Sequence, residues 1–145
     1  MSERRVLFIC TGNTCRGPMA EGIFNQMTEH LEGTEVKCAS AGISAVKGQR
    51  VTPWAMQVCW EIGVDISLHR ATYLTEQKMQ DWDVLAVMTE DQYQLLLDAG
   101  APQEKLVLLD VEDPYGGSMD SYRRCRDLLA RRIRERVLCR VQEAV

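Results

Sequence analysis

The chain has 145 residues, 46% of them hydrophobic and 26% charged, with a formal net charge of -4; that is enough to bury one substantial core and too little for two, so 1–145 is expected to form a single domain. So ordinary a composition excludes disordered, collagen-like and coiled-coil classes, and the mild acidity argues against a nucleic-acid partner. The apolar run that follows Met1 to Arg5 is short and ends at Cys10, which argues against a leader or a membrane span and for a cytoplasmic protein with no membrane partner.

The first predicted element is a buried strand over Arg5–Ile9, followed by a polar loop and a helix opening at Pro18, with Met19, Ile23 and Met27, joined by Ala20 and Phe24, as its apolar stripe. A second strand is predicted from Val36 to Ala41. Thr52-Pro53 reads as cap and first turn of a helix that Gly63 closes. Val84–Met88 is a third, wholly apolar strand, and Thr89 with Gln92 has capping-box spacing for a helix reaching about Gly100. Leu106–Leu109 is the fourth strand. Ser118 caps a last helix with the stripe Tyr122, Cys125, Leu129, Ile133, Val137 and Val141. Eight arginines between Arg123 and Arg140 could attract an acidic partner, but apolar residues recur among them at helical spacing, which favours a solvated helix face. Apolar strands alternating with helices indicate an α/β fold with a parallel sheet covered on both faces.

Six cysteines are scattered at 10, 15, 38, 59, 125 and 139, with no CxxC pair. His30 and His69 lie far apart in sequence. A reduced compartment and no metal are the expectation. Cys38, Cys59, Cys125 and Cys139 read as core or surface residues, and Trp54, Trp60 and Trp82 as packing residues.

In an open α/β sheet, ligands bind beyond the carboxyl ends of the strands. That rule selects the loop Cys10 to Arg16 and the loop Asp110 to Gly117. Cys10-Thr11-Gly12-Asn13-Thr14-Cys15-Arg16 places a thiol at a strand end, a guanidinium six residues on, and a helix start just beyond. Inward-facing amides and a helix N-terminus make such a loop a cradle for a phosphate or sulfate ion. Gly12 and Asn13 suit positive φ angles, and Arg16 can meet two anion oxygens with its planar fork. The same positive field should lower the Cys10 pKa and make it a nucleophile. Attack on phosphorus then requires a proton for the leaving group, and Asp113, in Asp113-Pro114-Tyr115-Gly116-Gly117, is the candidate donor.

Cys10-Thr-Gly-Asn-Thr-Cys15-Arg16-Gly-Pro18-Met-Ala-Glu21 and Asp113-Pro114-Tyr115, with Ser40-Ala41-Gly42 and Gly-Gly-Ser-Met-Asp, closely resemble the low-molecular-weight protein tyrosine phosphatases over nearly the whole chain. The resemblance implies a three-layer αβα sandwich on a four-stranded parallel sheet of order 2-1-3-4. It also implies Cys10 as nucleophile, Arg16 as phosphate clamp, Asn13 as a loop-shaping residue and Asp113 as general acid, acting through a phosphocysteine intermediate without a cofactor. Phosphate or substrate would be held by Thr11, Gly12, Asn13, Thr14, Cys15, Gly17 and Tyr115.

Where the family usually has Ser or Thr after the arginine, this chain has Gly17. Loss of that hydroxyl should raise the Cys10 pKa and slow the second step, so Gly17→Ser is expected to speed turnover. Thr14 matches the protein-arginine-phosphatase branch rather than the bulkier aliphatic residue of phosphotyrosine enzymes. A phosphorylated protein substrate bearing phosphoarginine is therefore favoured over phosphotyrosine, with Tyr115 as a pocket wall under either. Cys15 reads either as a disulfide partner of Cys10 under oxidants or as a buried small hydrophobe, and His69 as a turn residue or a brace behind the loop. Two rival functions are weaker: a thioredoxin-coupled arsenate reductase lacks its further cysteine pair, since none lies between Cys59 and Cys125, and a phosphate-capturing pseudoenzyme is disfavoured by the retention of Cys10, Arg16 and Asp113 together.

Overall fold

The structure is a computed structural model that describes residues 2–142. Four parallel strands, β1 (Ser2–Cys10), β2 (Thr34–Gly42), β3 (Val84–Val87) and β4 (Leu106–Leu108), form one sheet in the order β2-β1-β3-β4. The helices are α1 (Arg16–Thr28), α2 (Pro53–Trp60), α3 (Glu90–Asp98), α4 (Met119–Arg136) and α5 (Leu138–Gln142).

Side chains alternate across a strand, so β1 supplies both cores. Val6, Phe8 and Cys10 face a cluster with α1, α2 and α4, which includes Met19, Phe24, Val58, Leu129 and Ile133. Leu7 and Ile9 face the opposite cluster with Leu85, Val87 and Leu96 of α3. Continuous apolar strands are what two covered faces require, and the expected αβα layering and strand order are both observed. Strand β1 begins earlier than the apolar run suggests because Ser2 to Arg5 pair in register with Thr34 to Lys37 of β2. Backbone pairing recruits these polar residues without needing their side chains to be buried.

Three local expectations are corrected. Helix α1 starts at Arg16, two residues before Pro18. Pro53 takes the first turn of α2, but the Thr52 side chain makes no capping bond. The last helical stretch is two helices, broken at Val137 (φ -111°), although the whole stripe from Tyr122 to Val141 is buried as expected. Arg136 donates to the Leu108 carbonyl at 2.7 Å and Arg140 to that of Glu104 at 2.8 Å, which ties both sides of the break to the β4 segment. The Thr89–Gln92 capping box forms as read, and Ser118 makes a second one with Ser121.

The arginine-rich helix is stitched to its own chain. Arg123 and Arg126 both meet Glu61, at 2.8 and 2.7 Å, fastening α4 to the end of α2, and Arg131 pairs with Glu135 at 3.0 Å. Trp54 and Trp60 depart from the packing expectation: both are exposed, and Trp54 meets Tyr122 edge-on with ring centroids 5.6 Å apart. None of the helices among the described residues is long and apolar enough to cross a membrane.

Candidate active site

The carboxyl edge of the sheet is where β1 ends at Cys10 beside Gly42 of β2. The loop that leaves Cys10 is held by its neighbour: Ile43 N donates to the Cys10 carbonyl and Ser44 N to that of Thr11, each at 2.9 Å. This approach demands a glycine at 42. A Cβ there would stand 2.6 Å from the Thr11 carbonyl oxygen and 3.0 Å from the Asn13 amide, so any side chain would push the loop off the sheet edge.

Asn13 turns the loop. It is fully buried, with φ +57°, a left-handed conformation that asparagine tolerates. Its side chain is saturated to hold that shape: Nδ2 donates to Ser40 Oγ at 2.9 Å, and Oδ1 accepts from Thr72 N at 2.9 Å and from His69 Nε2 at 3.1 Å. His69 Nε2 also lies 3.1 Å from the Asn13 carbonyl. Facing two acceptors, Nε2 must carry a ring proton, and burial pushes the His69 pKa down. The Ser40 hydroxyl in turn donates a hydrogen bond to Glu21 Oε1 at 2.8 Å, and burial raises the Glu21 pKa. His69 thus braces the loop from behind, whereas Gly12 departs from expectation. It does not take a positive φ, and a Cβ on it would make an ordinary 3.6 Å contact with Thr14 Oγ1.

Arg16 opens α1 with its side chain almost completely buried. Nη1 donates to the Val111 carbonyl at 2.9 Å, and Nη2 lies 3.4 Å from Thr11 Oγ1 and 3.7 Å from Asp113 Oδ2. Val111 is available because the chain leaving β4 stays on the edge of β3, with Leu109 N and Val111 N donating to Val87 and Met88 at 2.8 Å, through a left-handed Asp110. The Asp113 carboxylate also accepts from Tyr115 N at 3.0 Å, and Gly117 N to Pro114 O at 2.9 Å closes the turn. Two segments far apart in sequence therefore meet through one guanidinium.

Together these groups line a cavity of about 170 Å³ bounded by residues 10–16, Asp113 and Tyr115. Every residue the sequence nominates is on its wall except Gly17, which lies beneath. Cys10 Sγ is at the floor, buried, accepting from Asn13 N at 3.2 Å. The expectation of a lowered thiol pKa is overturned: burial, the largest influence, pushes it up, against the pull of Arg16 and then of the amides of Gly17 and Asn13. Cys15 is also buried, its sulfur 3.9 Å from that of Met19, with its pKa raised chiefly by burial. All six cysteines are free.

Gly17 is tighter than a simple missing hydroxyl would suggest. A Cβ at this position would stand 2.8 Å from Cys10 Sγ and 2.9 Å from Asn13 Nδ2, so serine would have to displace the sulfur or the brace to fit.

Sequence reasoning did not find Ser40 and Gly42 as supports of the loop, the Val111 carbonyl as an anchor for Arg16, or Gln92 as a contact of Thr11 at 3.2 Å. Ser40-Ala41-Gly42 was visible as a motif, but its purpose lies in a close backbone approach that no spacing reveals.

Residues 5–144 match the family described as low molecular weight phosphotyrosine protein phosphatase. A protein-arginine-phosphatase of Bacillus subtilis (strain 168) is 36% identical over 140 residues, covering 90% of this chain and 92% of its own. The crystal structure of a low molecular weight protein tyrosine phosphatase from T. tengcongensis superposes with a TM-score of 0.84 at 35% identity, covering 98% of this chain and 99% of that one. A YwlE arginine phosphatase, in a cysteine-to-serine mutant with a phosphorylated active site serine, superposes with a TM-score of 0.80 at 34% identity, covering 90% and 91% of the two chains.

Proposed function

The chain belongs to the low molecular weight phosphotyrosine protein phosphatase family, and from that premise we propose that it is a cysteine-dependent protein phosphatase whose preferred substrate is phosphoarginine in proteins. The observation that carries the reading is the buried Arg16 guanidinium standing between the loop over Cys10 and the Asp113 carboxylate, at 3.7 Å from the latter.

A phosphoryl group seated in the cradle would meet loop amides and Arg16 on its equatorial oxygens. These charges are already in place, which is the arrangement phosphoryl transfer rewards. Cys10, in its thiolate form, attacks phosphorus as the bond to the leaving nitrogen or oxygen breaks, and Asp113 gives that leaving atom its proton. Asp113 then takes a proton from water as the water oxygen attacks the phosphocysteine, releasing phosphate and the Cys10 thiolate. Thr11, Gly12, Asn13, Thr14, Cys15 and Gly17 shape the cradle. The relative with a phosphorylated active-site serine supports a covalent route.

Thr14 supports phosphoarginine: it is one of the residues that line the cavity, where a short hydroxyl can bond a guanidinium and a bulky aliphatic group would pack on an aromatic ring. Tyr115, 76% exposed at the mouth, can stack on a guanidinium plane. The protein-arginine-phosphatase likeness supports the same choice. Free cysteines throughout, two of them in the cradle, support a reducing, cytoplasmic setting, and the chain is read as one domain.

Comparison of kcat/KM on phosphoarginine and phosphotyrosine peptides tests the assignment, with Thr14→Ile alongside. The parent should prefer phosphoarginine and Thr14→Ile should move the preference toward phosphotyrosine. A parent that prefers phosphotyrosine, or a variant with an unmoved ratio, would show the substrate class to be wrong.

A further inference from the structure

Gln92 stands in the first turn of α3, buried to 6% exposure, and its side chain does more than complete the capping box with Thr89. Its Oε1 accepts from Met88 N at 2.8 Å and from Thr89 N at 3.2 Å. Two backbone N–H donors can only face the oxygen, so the orientation of the amide is determined and Nε2 is the end that points away from the cap. That end donates to Thr11 Oγ1 at 3.2 Å.

The proton inventory of Thr11 follows. Its hydroxyl oxygen also faces Arg16 Nη2, at 3.4 Å. Guanidinium and amide N–H groups donate and never accept, so both lone pairs of the oxygen are engaged and its single proton must point elsewhere. Thr11 lines the cavity over Cys10, so the direction left open to the proton includes the space where an anion would lie. Resting on the reading of this loop as a phosphate cradle, we propose that Gln92 is a positioning residue of the phosphate site, acting through Thr11 to aim its hydroxyl proton at the bound anion and to steady Arg16.

With Gln92 removed, the Thr11 hydroxyl loses one acceptor duty and is free to rotate. A donor to the anion is then no longer preorganised, and binding of the dianion weakens with little change at the acid, Asp113. The signature is therefore a rise in KM and in the phosphate inhibition constant that exceeds the fall in kcat.

The test is a double-mutant cycle on the full chain with Gln92→Met, Thr11→Val and the pair, reading the inhibition constant of inorganic phosphate against aryl phosphate hydrolysis, with Tm in parallel. Each single variant should weaken phosphate by about tenfold, the scale of one hydrogen bond to a charged group, and the double variant should match Thr11→Val within about twofold, because Gln92 acts through that hydroxyl. Thr11→Ser, which keeps the hydroxyl, should bind phosphate more tightly than Thr11→Val. If Gln92→Met lowers Tm and leaves the phosphate constant unmoved, Gln92 is only a helix cap, and if the two effects multiply, it acts independently of the Thr11 hydroxyl; either result overturns the proposal. Should Gln92→Met fail to fold, Thr11→Val decides alone: unchanged phosphate affinity overturns the proposal. A parent that neither binds phosphate nor hydrolyses aryl phosphates would overturn the functional reading itself, and this proposal with it; a normal parent with silent variants sinks only this proposal.

Discussion

Arg16 Nη2 lies 3.7 Å from Asp113 Oδ2, with the arginine side chain 4% exposed and the aspartate 47%. The unequal exposure suits the tasks proposed for them. The guanidinium is held in a dry wall by the Val111 carbonyl, so its charge is weakly screened, while the carboxyl reaches water with which it can exchange protons between two half-reactions.

Asp113→Asn keeps an acceptor for the Tyr115 amide but cannot deliver a proton. Its kcat should fall by roughly 10²–10⁴-fold, the usual range for a general acid, on substrates with poor leaving groups, and by much less as the leaving-group pKa drops. A series of aryl phosphates measures the slope. Equal losses across the series would remove Asp113 from the acid role.

The Cys10 thiol is pushed up by burial and pulled down first by Arg16. Thiolate, the reactive form, therefore increases as pH rises, and the rate of Cys10 alkylation by iodoacetamide should climb through and above neutral pH. Arg16→Met removes the strongest lowering influence at similar length, so its alkylation profile should move to higher pH. Superimposable profiles for parent and variant would contradict the electrostatic role given to Arg16.

Gly17 sets a steric demand and an electrostatic one against each other. Gly17→Ala adds only the Cβ that stands 2.8 Å from Cys10 Sγ and should lower kcat below the parent. Gly17→Ser adds a donor at the same steric cost and should exceed Gly17→Ala, on the order of tenfold or more if the hydroxyl stabilises the leaving thiolate. An alanine variant as fast as the parent refutes the crowding; serine equal to alanine refutes the hydroxyl effect.

The loop brace predicts a pH-dependent stability. His69 has its pKa lowered in the fold, chiefly by burial, so on acidification the unfolded chain takes up a proton near pH 6.5 that the folded chain refuses. Stability from this residue is present above that pH and lost below it. Between pH 7.5 and about 5.5 the parent should lose more Tm than His69→Gln, in which Glu21 and its opposing raised pKa remain. Parallel Tm curves would mean that His69 titrates alike in both states.

Much of this arrangement was legible in the chain. The apolar runs of β1, β3 and β4 declare buried parallel strands, and the spacing from Cys10 to Arg16 declares an anion loop, because both depend on near neighbours. What escaped depends on distant chain. Gln92 satisfies a helix cap so well that its second contact, with Thr11, leaves no separate trace in the sequence. Gly42 looks like any strand-end glycine until the Thr11 carbonyl is seen 2.6 Å from where its Cβ would be. The raised pKa of Cys10 is hidden from the sequence for the same reason: charges near it can be counted from the motif, but the depth of its burial cannot.

Rapid-mixing measurement of aryl alcohol release, in the parent and in Cys10→Ser, bears most directly on the covalent route. With breakdown of the phosphocysteine as the slow step, the parent should release a burst of one aryl alcohol per protein molecule before settling to its steady rate, and Cys10→Ser should show neither burst nor turnover at the parent's rate. Hydrolysis by Cys10→Ser as fast as by the parent would contradict the account.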